Sequence, residues 1–202
     1  VYARSEKDAK AYKQLGTSAD LVHTTGNLKL CTAIHPALNK NSNIDLKKRD
    51  YVLLASTHQD EEKQIYTLWQ TPNRNELLVI APRHPERSTS ILKQLDCENI
   101  ARRSKNETIN EKTEVFILDT IGELKDLFSE AKLVIMGGSF VSVGGHNIME
   151  PASYNSAIIT GPQMKNFTAE LALMLDNEAI IQVASYRQLK QQLARLLDDQ
   201  PA

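Results

Sequence analysis

Glycine and cysteine are scarce in this chain of 202 residues, with eight of the first and two of the second. Two cysteines, Cys31 and Cys97, are too few for a disulfide scaffold, and their separation matches no metal-ligand spacing. A reducing compartment is the simplest reading. An excess of charge is also lacking: 24 Lys and Arg against 25 Asp and Glu leave a net charge of -1, which argues against a general nucleic-acid surface. No apolar run approaches the ~18 residues from which a membrane-spanning helix is read. Repeats and low-complexity tracts are missing too, apart from the polar "NKNSNIDLKKRD" (Asn39–Asp50), which reads as a surface loop. The remainder, 41% hydrophobic and 24% charged, describes a soluble globular chain long enough for one good core or two small ones. It opens on "VYARSEKDAKAYKQLG", with no initiator Met and no signal-peptide pattern. That predicts a piece cut from something longer.

Short apolar runs alternate with helix-period stretches. Strands are expected at Asp20–His23, Tyr51–Ala55, Leu77–Ala81, Val115–Leu118, Leu133–Met136, Ala157–Thr160 and Ile180–Val183. Helices are expected at Glu6–Leu15, Asp60–Trp69, Ser88–Leu95, Gly122–Ser129, Met149–Tyr154, Phe167–Leu175 and Tyr186–Leu197. A second polar stretch, Arg102–Thr113, reads as a connection between strands. The strand runs are apolar throughout rather than alternating, as when helices cover both faces of a parallel sheet. The predicted class is α/β, with a Rossmann-like, doubly wound parallel sheet.

Ligands of such sheets bind beyond the carboxyl ends of the strands, where this chain places "STHQDEEK", "PRHPER", "DTIGEL", "GGSFVSVGGHNIMEPA" and "GPQMKNF". Ser56 or Thr57 suits an N-cap for the following helix, with Glu61 and Glu62 in its first turn. The same hydroxyl and helix start would equally suit a phosphate. Arg83 and Arg87, in a proline-stiffened loop, suit a phosphate or carboxylate. The run Gly137–Ala152 holds four of the eight glycines, which permit positive φ and close approach of a ligand. Asn147 and Glu150 lie three apart, on one helix face, and suit a sugar diol. They also fit a capping box, Asn147 as N-cap and Glu150 reaching back. His58, His84 and His146 all follow strands at one edge. No H-x-H, H-x-x-x-H or H-E-x-x-H spacing occurs, so a metal site is not expected.

Taken in order, "VHTTGNLK", "ASTHQDEE", "APRHPER", "LDTIGEL", "GGSFVSVGGHNIMEPA" and "TGPQMKNF" resemble the Kdo transferases of Gram-negative bacteria. These enzymes move 3-deoxy-D-manno-oct-2-ulosonic acid (Kdo) from CMP-Kdo to a lipid A precursor. The resemblance implies the C-terminal domain of a GT-B glycosyltransferase. Residues 1–19 would end an interdomain linking segment, and residues 20–202 would form the donor-nucleotide domain. It implies inverting transfer without metal or cofactor. The carboxylate base, the membrane-associating segment and most contacts to the lipid A precursor would lie in an N-terminal half absent here, so no catalytic residue is expected in this chain. The whole protein would work at the cytoplasmic face of the bacterial inner membrane. CMP would be held by Pro82, Arg83, Ile121, Gly122, Glu123, Asn147, Ile148, Met149 and Glu150. Ser56, Thr57, His58 and His146 would neighbour the phosphate or the Kdo carboxylate. The family often has Pro where Ser142 and Ile148 stand here, and Met or Leu is commoner than Ile121. Two other readings stay open: another GT-B enzyme, such as a nucleotide-sugar epimerase or a different glycosyltransferase, and a non-catalytic nucleotide-binding or interaction module.

Overall fold

The computed structural model describes residues 1–26, 44–46, 49–71 and 74–198. Cys31 and most of the expected loop Asn39–Asp50 lie outside the described residues, as does the end of "VHTTGNLK". The chain forms two compact units, Val1–Leu38 and Asn39–Ala202.

In the first unit, strand β1 (Tyr2–Ala3) pairs in parallel with β2 (His23–Thr24). Between them runs helix α1 (Glu6–Gln14). The Ser5 hydroxyl caps α1 by accepting from the Asp8 N–H at 3.1 Å, and Glu6 and Asp8 place negative charge in its first turn. Ala3, Ala9 and Val22 make a small core. The expected strand at Asp20–His23 is displaced. Ala19–Leu21 is a 3-10 turn, closed by the Leu21 N–H on the Ser18 carbonyl, and the strand begins only at His23.

The second unit is built on a wholly parallel sheet. Its strands are β3 (Tyr51–Thr57), β4 (Leu77–Pro82), β5 (Ile100–Arg102), β6 (Val115–Ile117), β7 (Leu133–Met136), β8 (Ile158–Thr160) and β9 (Ile181–Gln182). Their order in space is β5-β6-β4-β3-β7-β8-β9. Because side chains alternate along a strand, each apolar run feeds two cores. Leu53, Val79, Phe116, Val134 and Ile158 face one; Leu54, Ile80, Ile117, Ile135 and Ile159 face the other. The second core is covered by α2 (Glu61–Trp69), α3 (Ser88–Gln94) and α6 (Tyr186–Leu193), through Ile65, Trp69, Ile91 and Leu189. The first is covered by Leu127, Phe128, Ile148 and helix α5 (Thr168–Asp176), through Leu171 and Met174. Helices on both faces make the sheet doubly wound, as its patterning predicted.

Two differences follow from tertiary context. Strand β5 has no apolar run of its own and exists by pairing with β6, Ala101 opposite Phe116. The expected helix Gly122–Ser129 is only a 3-10 turn, Leu124–Leu127, which starts beyond Gly122, whose φ of +91° is non-helical.

The chain reverses direction across the sheet at β3. From there the order runs out through β4 on one side and through β7 on the other. That switch point needs β7 to leave the sheet against β3. The Gly137 N–H donates to the Ala55 carbonyl at 2.7 Å. A Cβ on Gly137 would stand 2.5 Å from the Ser56 carbonyl oxygen and 2.6 Å from the Thr57 Cα. Both obstacles are backbone and cannot swing away. Gly137→Ala is therefore expected to cost about 2–3 kcal/mol through overpacking. Gly122→Ala, with positive φ but open space around it, is expected to cost only ~1 kcal/mol. Urea unfolding at constant m checks the order, and a larger loss at Gly122 would refute the packing account.

Candidate functional site

The switch point between β3 and β7 is where doubly wound sheets leave a crevice beyond their strand ends. Two buried carboxylates at the head of α2 organise it. Ser56 sits at φ +56°, where the β3–β4 register slips between Ala55 and Thr57. That bulge turns Thr57 inward, and its buried hydroxyl donates to Glu62 Oε1 at 2.6 Å. Arg87 donates to both Glu62 oxygens at 2.8 and 3.2 Å, a bidentate pair. The Arg83 N–H donates to the Thr57 carbonyl at 3.0 Å. The "PRHPER" loop is thus fastened to the end of β3, with Pro82 buried and Arg83 exposed.

Glu61, equally buried, accepts three backbone N–H groups: His58 at 2.9 Å, Gly138 at 2.7 Å and Phe140 at 3.0 Å. Neither Ser56 nor Thr57 caps α2 as expected. The N-cap position belongs to Asp60, at φ +75° with no side-chain cap, because the Thr57 hydroxyl is committed to Glu62.

His58 and His146 meet across the crevice, Nε2 to Nε2 at 2.8 Å, with their rings parallel to within 6°. One nitrogen must carry the proton and the other accept it. A second proton would set two N–H groups face to face. Burial, then the neighbouring His58, Arg83 and His84, push His146 down to about 4. Burial, then His84 and Arg87, lower His58 as well. His84 stands edge-on to His58, 6.0 Å between centroids. Arg83 and three imidazoles therefore cluster on one side of the crevice, with the His58–His146 pair held neutral. Among the described residues, no three His, Cys, Asp or Glu side chains converge to hold a metal ion.

On the other side stands the short helix α4 (Met149–Ala152). The expected capping box does not form. Asn147 precedes the helix by two residues, and its Oδ1 accepts from the Met149 N–H at 3.1 Å while Ile148 takes the N-cap position. Glu150 keeps its carboxyl solvent-exposed, yet the surrounding protein desolvates it and raises its pKa, opposed by the charge of Lys125. Ile148 turns the other way and is wholly buried in the core, so only its backbone is left to face a ligand.

The loop after β6 presents Ile121, 89% exposed, and Gly122. Glu123 is already engaged: Arg103 donates to it from Nε and Nη2 at 2.7–3.1 Å, and the Thr120 hydroxyl donates to it too. These bonds hold the carboxylate below its ordinary pKa, Arg103 contributing most. Asp119, buried, accepts from the Ser104 N–H and hydroxyl. A cavity of about 200 Å³ beside Arg103 is lined by Asn106, Ile109 and Phe116. Another, of about 350 Å³, lies at the opposite edge of the sheet near Trp69 and Arg74. The histidines line neither.

The structure therefore brings together Ser56, Thr57, His58, Pro82, Arg83 and His146 around the β3 end. It places Asn147 to Glu150 on the wall after β7, and Ile121 to Glu123 after β6. Sequence reasoning missed Arg103 and the buried roles of Glu61 and Glu62. The signal for the glutamates was present: Glu61, Ile65 and Trp69 lie four apart, and Glu62 and Tyr66 likewise, so both acids share the apolar stripe of α2.

Depressed histidines bind fewer protons folded than unfolded between their two pKa values. Stability held by the neutral pair is then full above about pH 6.5, the unfolded value, and is lost as pH falls toward about 4. His146→Asn is expected to flatten the rise of unfolding free energy with pH between those limits. Denaturant titrations at several pH values check it, and an unchanged slope would count against the coupled pair.

No family model matches the chain. The 3-deoxy-D-manno-octulosonic acid transferase of Rickettsia felis is 34% identical over 206 residues, 98% of this chain and 44% of that protein. The chain spans about half the length of the curated relatives it matches. The alpha,alpha-trehalose 6-phosphate synthase of Burkholderia multivorans, 12% identical, aligns over 98% of this chain and 50% of its own with a TM-score of 0.57, a likeness of fold alone. The C-terminal CMP-Kdo binding domain of WaaA from Acinetobacter baumannii is 30% identical, with a TM-score of 0.69 over 76% of this chain and 83% of that domain. On that identity and coverage, joined to the doubly wound sheet and its strand-end motifs, the chain belongs to the Kdo transferase family and represents the Rossmann-like C-terminal domain of its GT-B architecture.

Proposed function

We propose that this chain is the CMP-Kdo-binding domain of an inverting, metal-independent Kdo transferase that passes Kdo to a lipid A precursor, lipid IVA, in lipopolysaccharide core biosynthesis. The observation that carries this reading is the convergence of the family-like motifs at the β3–β7 switch point. There Arg83 and the His58–His146 pair stand at the β3 end, and Asn147 and Glu150 follow His146 in the chain at the start of α4. Metal independence, inversion and work at the inner membrane's cytoplasmic face rest on the family resemblance. No helix among the described residues is long and apolar enough to cross a membrane.

The chemistry asks for stabilisation of charge on a leaving group. As the bond between Kdo and the CMP phosphate breaks, negative charge grows on that phosphate. Arg83 and the imidazoles would lie beside it, and the imidazoles, already held by their mutual bond, make a preorganised contribution of the oxyanion-hole kind. A proton drawn onto the histidine pair by the anion would add to it. Asn147 and Glu150 hold the ribose hydroxyls, the carboxylate accepting and the amide doing both. Ile121, Gly122 and Pro82 bound the cytosine. Glu123 acts by keeping that loop in place through Arg103. The base that deprotonates the acceptor hydroxyl belongs to another domain, and closure of the two assembles the reacting centre.

Calorimetric titration of the chain with CMP, UMP and UDP tests the reading. CMP is expected to bind most tightly, and a preference for UDP would sink it. Glu150→Ala is expected to weaken CMP about tenfold, ~1.4 kcal/mol, with an unchanged melting temperature because the carboxyl is exposed. Arg83→Ala is expected to cost as much or more, with a shallower salt dependence of binding than wild type.

A further inference from the structure

Glu61 touches no part of the proposed ligand, yet its buried carboxylate accepts three backbone N–H groups. Its Oε2 collects the N–H groups of His58 and Gly138, and its Oε1 that of Phe140. The donors come from two loops, 77 and 79 positions apart from Glu61 in one case and three in the other. Glu62 beside it is neutralised by Arg87. Among the described residues no cation pairs with Glu61, so amides alone meet its charge. Taking a carboxylate out of water costs several kcal/mol, and removing its partners strands that cost. The two loops are therefore bound to move together.

Gly138 is also the floor beneath the histidines. A Cβ there would lie 2.9 Å from His146 Cδ2 and 3.3 Å from His58 Cδ2. Glu61 thus holds the backbone of one imidazole and the residue on which both rest. At the far end of the loop, Phe140 stacks on Tyr186 with 4.9 Å between centroids, which fixes the third donor against α6.

We propose that Glu61 is a positioning residue: its buried carboxylate fastens the β3–α2 loop to the glycine-rich loop after β7 and so holds His58 in register with His146 across the donor-phosphate face. This rests on the donor-site reading for its consequence in binding, but not for its effect on the histidines. A glutamine has the same shape and only one acceptor oxygen. Its NH2 group must face an N–H donor on one side, and one loop must shift.

The test is Glu61→Gln in the chain, read by histidine ring NMR titration and by CMP calorimetry. The expected result is a cooperative melt, a His146 midpoint raised from about 4 toward the ordinary value, and CMP binding weakened at least tenfold. Leu189→Ala, a core truncation on α6 in the second core, serves as the stability-matched control and is expected to keep the wild-type titration and affinity. A folded Glu61→Gln with both readouts unchanged overturns the proposal. If Glu61→Gln does not fold, Glu61→Asp takes its place: an altered midpoint supports the proposal, and a wild-type midpoint with wild-type affinity overturns it. Should wild type not bind CMP, the donor-site reading fails, while the His146 midpoint still decides the role of Glu61.

Discussion

The site depends on one constraint, the pairing of β3 on both sides within a sheet that is buried on both faces. Val52, Leu53, Leu54 and Ala55 bond to β4 along one edge and to β7 along the other, and all four are fully buried. A strand so enclosed has no freedom of register, since a one-residue slip would exchange the two cores. Its end is therefore a fixed point. The loops after β4 and β7 leave the sheet on either side of that point and carry Arg83, His146, Asn147 and Glu150, while the β3 end itself carries His58.

Fixing strand ends is not enough to fix loops, and the protein does the rest with buried charge. The interior is apolar along the strands and polar at their carboxyl ends, where Thr57, Glu61, Glu62, Asp119 and Ser139 are buried. Thr57 serves Glu62 nearby, and the other four tie loops to segments distant in sequence. Glu62 takes Arg87, Asp119 takes Ser104, and the Ser139 hydroxyl bridges the Met136 carbonyl to the Gly161 N–H. Buried polar groups are costly unless satisfied, and satisfied ones specify a single arrangement. The binding loops are thus built to be rigid before a ligand arrives, which is what electrostatic stabilisation of a leaving phosphate requires.

This division explains what could be read from the sequence. The strands β3, β4, β7 and β8, and the helices around them, follow from apolar periodicity, because two-sided burial writes itself into consecutive residues. The location of the site follows as well, since polar loops after parallel strands must collect at one edge. The partners of individual side chains do not follow. Thr57 looked like a cap and serves Glu62; Asn147 looked like the N-cap of a box and closes a turn two residues earlier. Glu123 looked free for a ligand and is held by Arg103, 20 residues away. Each is decided by a contact between distant segments, and local propensity carries no record of it. Strand β5 was lost for the same reason, being a strand only beside β6.

The glycines of Gly137–Ala152 show how the two levels combine. Glycine there promised room for a ligand. At Gly137 the room is taken by the β3 backbone, and at Gly138 by the two histidine rings. The missing side chains let the protein approach itself, so that β7 leaves the sheet tightly and His146 reaches His58 at 2.8 Å. Close packing of this kind desolvates the imidazoles and lowers their pKa, leaving a neutral pair at pH 7 that an arriving anion can charge. Gly137 and Gly138 thus serve one end. The loop must pass beneath a histidine pair and beside a bulged strand, and any Cβ at those two points would open the crevice that the rest of the fold holds shut.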